Sequence, residues 1–340
     1  MVRKKQNSKM VWRRKEAPPP PPPPWTELPR DLIANILQRL DVEIILEDAQ
    51  RVCTTWRSVC TDPSMWRKID LSLRNDYSEY DAGIMCKHLV DRSQGQLADL
   101  RLGFFATDAL LAYIAERSGQ LRYLSLDSCD EISGDGLTEA IKRFPLLEEL
   151  HLFHSEFPSE FIETVGHTCP LLKSFSIGSV AWFDDDEDIR DPGTESNKLA
   201  LAIAKTMPGL RHLSLVGNTL TNEGLVAILD GCTHLELLDL RGCLGVNLEG
   251  DIGMRCSQQV KCVKLPKESI SDLEMYDSDA FEDYRSLFSG HDFMSDYEEE
   301  YFHDYEDDDD FSFLPLWAAL DSDDEDFLNE DYLRDLGPIM

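Results

Sequence analysis

His151 and His154 look like a metal-binding pair, but three residues apart on a strand they face opposite ways, so one ion cannot take both. The nine cysteines, an odd number, include no C-x-x-C and no Cys/His pairing at zinc-like spacing. There is no Ser/His/Asp order with supporting turn chemistry, no cysteine with a histidine partner in sequence context, and no G-x-G-x-x-G or phosphate-binding loop. Asp307 to Asp310 supplies carboxylates without the spaced ligands and Gly turn of a calcium loop. These residue types predict no catalytic residues, no metal site and no cofactor. The work expected of the chain is binding.

The elements that would position binding residues come from a repeat. Leu-x-x-Leu-x-Leu, or a close variant, starts at Leu97, Leu121, Leu147, Leu172, Leu210, Leu235 and Val260, at steps of 24, 26, 25, 38, 25 and 25 residues. That is the leucine-rich-repeat period, held in register by seven copies apart from one insertion. Each copy predicts a short strand followed by a helix-like segment with apolar pairs such as Leu110 and Ile114, Leu137 and Ile141, or Phe161 and Val165. Neither strand nor helix can cover itself, so the units must stack into a solenoid. The position eight residues after each start, where Asn or Cys can satisfy the turn, holds Phe105, Cys129, Ser155, Val180, Asn218 and Cys243. Phe105 and Val180 depart from the pattern, and those turns need another partner. Cys129, Cys169, Cys232 and Cys243 recur at equivalent places, which predicts packing rather than redox roles.

In Leu-x-x-Leu-x-Leu the leucines point inward, and the residues between them face the concave side. That face mixes charge, aromatics and small residues, which suits a protein surface better than nucleic acid, whose recognition asks for a dominant basic stripe. Arg101, Tyr123, His151, Phe153, His212 and Arg241 are the expected contacts.

Ahead of the repeats, Leu28, Leu32, Ile33, Ile36, Leu37 and Leu40 form the apolar stripe of a helix opened by Leu28-Pro29. A short second segment, Val42 to Leu46, and a third, Ala49 to Val59, precede the stop at Asp62-Pro63. Three helices in about forty residues bury little of their own surface, so the unit needs a partner. Leu-Pro, Val52-Cys-x-x-Trp56-Arg and Asp62-Pro-x-x-Trp66 in this order resemble the F-box, the adaptor-binding module of SCF ubiquitin ligases. The resemblance implies that Leu28, Pro29, Ile33, Ile36, Leu37, Leu40, Val52 and Trp56 lie in or beside a surface that grips a Skp-type adaptor, and through it a cullin/RING core. Glu43, Glu47 and Asp48 stand where many F-boxes carry a basic residue. F-box followed by repeats, with stretches such as Ile132-Ser-Gly-Asp-Gly-Leu137 and Leu220-Thr-Asn-Glu-Gly-Leu225, is similar to the plant F-box/LRR proteins known as Skp-interacting partners. The implied function is substrate recognition for ubiquitination and proteasomal degradation. A rival expectation is an F-box scaffold outside ubiquitination whose acidic tail contacts chromatin or transcription factors.

Composition bounds the rest. Of the net charge of −32, residues 271–340 carry 25 Asp/Glu against 2 Lys/Arg, while the start is basic, with Lys4-Lys5 and Arg13-Arg14-Lys15 as halves of a possible nuclear import signal. Pro18 to Pro24 is a polyproline spacer. Phe183 to Glu195 reads as an acidic loop at the rim, and 14 of the chain's 31 aromatics lie in the tail, where charge repulsion keeps them open for docking. No apolar run reaches the roughly 18 residues of a membrane span. The expectation is a soluble protein of the reducing nucleus or cytoplasm, binding neither membrane nor nucleic acid directly. Its fold class is α/β: a disordered basic, proline-rich start (1–24), a three-helix F-box (25–69), a solenoid with parallel strands inside and helices outside (70–266), and a disordered acidic tail (267–340).

Overall fold

The computed structural model describes residues 28–72, 79–153, 157–178 and 194–269. The basic and proline-rich start, His154, Ser155, Val180, the acidic insertion and nearly all of the acidic tail lie outside the described residues. Helix α1, Arg30–Leu37, starts from Pro29, whose carbonyl accepts hydrogen bonds from the amides of Leu32 and Ile33. Helical winding resumes at Val42, continues as a wider π turn over Ile44–Ala49, and ends in the short α2, Gln50–Val52. Cys53 is fully extended, and its carbonyl opens α3, Thr54–Cys60. The expected third helix, Ala49 to Val59, is therefore broken at Cys53; its first residues belong to the second helical stretch. Asp62 ends α3 as predicted and caps the following 3-10 turn, Pro63–Arg67, by accepting from the amide and hydroxyl of Ser64.

Eight parallel strands then lie in chain order: β1 Lys68–Leu71, β2 Asp99–Leu102, β3 Tyr123–Asp127, β4 Glu149–Phe153, β5 Ser174–Gly178, β6 His212–Ser214, β7 Leu237–Asp239 and β8 Cys262–Lys264. Helices α4 Glu79–Arg92, α5 Asp108–Arg117, α6 Gly134–Ile141, α7 Ser159–Thr168, α8 Thr194–Thr206, α9 Asn222–Gly231 and α10 Asp251–Gln259 alternate with them. None of the described helices is long and apolar enough to cross a membrane. The repeat leucines align rung over rung: Ile69, Leu100, Leu124, Leu150, Phe175, Leu213 and Leu238 stand side by side and are fully buried. Burying each such side chain is worth about 1.5–3 kcal/mol.

Strand β1 is an eighth copy beyond the seven read from leucine spacing. Trp66, Ile69 and Leu71 keep the same three-then-two spacing, with an indole in place of the first leucine. The Trp that ends the F-box pattern thus begins the solenoid, and a boundary at 69/70 falls inside β1. Trp66 is buried, its Nε1 donates to the Cys60 carbonyl at 2.8 Å, and the Arg92 guanidinium of α4 lies over its ring at 5.8 Å. Arg92 also donates to Gln50 at 3.3 Å, so the buried contacts run from F-box to first repeat in one core.

Cysteine packing is as expected: all nine thiols are free, and Cys129, Cys169, Cys232 and Cys243 are buried. The Cys129 and Cys243 thiols donate to the carbonyls of Gly103 and Leu215 in the preceding repeat, at 3.2 and 2.9 Å. Burial pushes the Cys129 and Cys243 thiols up to about 12, which keeps them protonated. At Phe105 the turn is closed by Ala106 N–H donating to Gly103 O. Gly217 and Gly242, just before Asn218 and Cys243, have φ of +72° and +76°, the left-handed backbone this turn requires.

Candidate functional site

The residues expected to make contacts lie on two surfaces. The first is on the F-box. Neighbours on a helix differ by about 100°, so the apolar stripe of α1 splits into two rows. Ile33 and Leu37 are buried in the core, whereas Leu32 and Ile36, one residue back, face outward. With Ile44 and Val52 they make four large apolar side chains that are each 40–60% exposed. Pro29 is exposed beside them, and Leu28, Leu40 and Trp56 are half-buried against the core. Among the expected adaptor contacts, Ile33 and Leu37 are thus corrected to supports beneath the surface. Leu32 and Ile44, which are not among the expected contacts, are exposed beside Ile36 and Val52, and the four-residue step from Leu32 to Ile36 is readable in the sequence. Arg30 bonds Ser58 Oγ at 2.7 Å and lies 3.6 Å from Asp62, tying α1 to the end of α3 and holding the strip in shape.

The second surface is the concave face of the sheet. Register places Asp70, Arg101, Ser125, His151 and Ser176 in one row, with Asp99, Tyr123, Glu149 and Ser174 in the next. Four predicted residues meet here. The Arg101 guanidinium sits 4.6 Å from the Tyr123 ring centroid, Tyr123 and His151 are 5.0 Å apart, and His151 stacks on Phe153 at 6.1 Å. The His151 Nδ1 and Ser176 Oγ are 2.9 Å apart. Asp70 and Asp99 approach Arg101 Nε at 3.6 and 3.9 Å, beyond hydrogen-bond reach. Asp99 Oδ1, Arg101 Nε and His151 Nε2 are therefore buried polar atoms without a hydrogen bond. Leaving such a group unmade costs about 1–3 kcal/mol.

The other two expected contacts fall elsewhere. His212 is exposed on β6, separated from the cluster by Ser174 and Ser176 of β5. Arg241 is a correction: it is 1% exposed and grips Asp239 through Nε and Nη2, at 2.9 and 2.7 Å to its two oxygens, while Nη1 donates to the Ser269 carbonyl at 2.9 Å. Alternation predicts the side of the sheet a residue takes. It does not reveal that the Ser269 carbonyl returns to meet the guanidinium there. Among the described residues no group of three His, Cys, Asp or Glu is placed to hold a metal.

Burial, and secondarily the Arg101 charge, pushes the His151 imidazole down from 6.5 to about 4, so it is neutral at pH 7 and its 3.7 Å approach to Glu149 is not an ion pair. A depressed histidine favours the fold above its unfolded pKa, and that stability is lost as pH falls from 6.5 toward 4. Arg101, Tyr123, Glu149 and Ser176 face the ring, and only Glu149 among them is a carboxylate, on the exposed side. Denaturant midpoints at pH 7 and pH 5.5 are expected to fall further for the native chain than for His151→Gln. Equal losses would remove His151 as the cause.

The apolar strip thus lies on a small helical unit that is fused without a linker to a parallel solenoid. Comparison with known proteins gives the class of the chain. A model described as F-box-like matches residues 25–72, and one described as Leucine Rich repeat matches residues 208–229. The chain belongs to the F-box/LRR proteins. It is similar to F-box protein SKIP19 of Arabidopsis thaliana, 47% identical over 80% of this chain and 86% of that one. F-box/LRR-repeat proteins 23 and 22 of the same plant are 44% and 45% identical, over 72% and 73% of this chain and 54% and 78% of their own lengths. Proteins of this family are typically adaptors rather than catalysts.

Proposed function

We propose that this chain is a substrate-recognition subunit of an SCF-type ubiquitin ligase of the nucleus or cytoplasm. The F-box strip docks on a Skp-type adaptor, and the adaptor links it to a cullin/RING core. The concave face holds a protein target, which is then ubiquitinated and degraded. The observation that carries this reading is the strip of Leu32, Ile36, Ile44 and Val52, large apolar side chains exposed on one small module. The concave cluster supports the other half. Stacked aromatics beside buried polar atoms that lack a hydrogen bond are suited to a peptide surface that supplies one. The chemistry of ubiquitin transfer comes from the partner enzyme by proximity.

Capture of a Skp-type adaptor tests it. Because Ile36 and Val52 are exposed, Ile36→Asp and Val52→Asp are expected to lower adaptor affinity at least tenfold while leaving the unfolding free energy within about 0.5 kcal/mol of the native chain. Undiminished capture by both variants would overturn the proposal.

A further inference from the structure

The two ends of the solenoid are finished differently. At the first strand the F-box lies over the repeat, and Ile69 and Leu71 are fully buried. At the last strand the equivalent residues are Val263 and Leu265. Val263 is half-buried and Leu265 is 46% exposed, although the residue at the same place as Leu265 is buried in each of the seven preceding units. Met254 of α10 and Leu244 of the turn after β7 are more exposed still. Among the described residues β8 pairs with β7 on one side and ends the sheet. An open edge with exposed apolar side chains invites pairing with other chains, and solenoids ordinarily close such an end with a cap.

The sequence beyond β8 contains a segment of matching chemistry. Within the strongly acidic residues 271–340, Phe311-Ser-Phe-Leu-Pro-Leu-Trp-Ala-Ala-Leu320 is the longest run without a charge. Phe311, Leu314 and Leu316 repeat the three-then-two spacing of the solenoid's own strands. Pro315, which brings no N–H, suits the end of a sheet and not its middle. The charges agree in part: Lys267 follows β8, Lys261 and Lys264 are already engaged by Glu236 and Asp239, and Asp307 to Asp310 and Asp323 to Asp326 flank the apolar run. We propose that Phe311 to Leu320 is the C-terminal cap of this solenoid, seating Phe311, Leu314 and Leu316 over Val263 and Leu265 at the open edge. There are 41 residues between 269 and 311, and a linker of that length can span about 35 Å, which suffices to hold a tethered segment at millimolar effective concentration.

The cap is independent of the adaptor reading, and its test uses the full chain. Cys262 on β8 is an exposed thiol and serves as a native reporter. In Leu314→Asp/Leu316→Asp, site-resolved maleimide labelling of Cys262 and hydrogen exchange across residues 262–265 are expected to be about tenfold faster than in the native chain. Exchange in β2–β4 and adaptor capture should stay unchanged. Phe293→Ser/Phe302→Ser, elsewhere in the tail, should behave as the native chain does. Equal rates in both variants would overturn the cap, as would uniform acceleration through β2–β4. Protection at β8 that rises with protein concentration, with a dimer by light scattering, would instead assign the edge to a second copy and overturn it too.

Discussion

Trp66→Ala is expected to cost about 3–5 kcal/mol, the range for removing a buried aromatic, and to damage two functions at once. Its indole fills the junction between α3 and the first repeat, holds the Cys60 carbonyl through Nε1, and carries the Arg92 guanidinium on its face. Removing it opens a cavity, leaves a buried carbonyl unpaired and releases Arg92 from its seat. Hydrogen exchange should accelerate in α3 and in β1 together, and adaptor capture should weaken although no adaptor-facing atom has changed. Trp66→Phe keeps most of the packing and loses the N–H, so a smaller cost of about 1–3 kcal/mol is expected. If Trp66→Ala weakened adaptor capture while β1 and β2 kept native exchange rates, the shared core between F-box and solenoid would be wrong.

Arg241→Ala should be comparably severe. The guanidinium and the Asp239 carboxylate are buried together, with the Lys264 ammonium at 3.8 Å from the carboxylate. Deleting Arg241 leaves the buried Asp239 carboxylate with only the more distant Lys264 ammonium to offset it, and breaking a buried pair costs about 3–5 kcal/mol. The bond from Arg241 to the Ser269 carbonyl is lost with it, so the last two repeats should fray first, seen as faster exchange in β7 and β8. Asp239→Leu/Arg241→Met removes both charges and should recover most of the loss, because the desolvation of each ion disappears with its partner. An Arg241 that served as a target contact would behave differently: the variant would fold normally and bind its target poorly. Native denaturation of Arg241→Ala would restore that role.

Much of the architecture was legible because it depends on local chain geometry. A period near 25 with Leu-x-x-Leu-x-Leu dictates a strand, a turn and a returning helix per unit, and equal periods put equivalent residues side by side. For that reason Arg101, Tyr123, His151 and Phe153, spread over some fifty residues, could be expected on one face and do meet there. The first strand escaped notice because an indole replaced its leading leucine and the same residues already belonged to the F-box pattern. The outward row of Leu32 and Ile36 was hidden for a related reason. Hydrophobicity marks a stripe, but a core contact and a partner contact are equally apolar.

The sequence by itself determined the repeat, the order of F-box and solenoid, and which side of each strand a residue takes, since these follow from spacing along the chain. Only the tertiary structure decided which of those residues remain accessible and which are locked together. Arg241 is buried and bonded to the Ser269 carbonyl, Gln50 meets Arg92 forty-two positions later, and His151 becomes neutral because burial removes its water. Burial and pairing are set by segments that approach one another through folding, and the spacing of residues within one segment carries no record of what will lie against it.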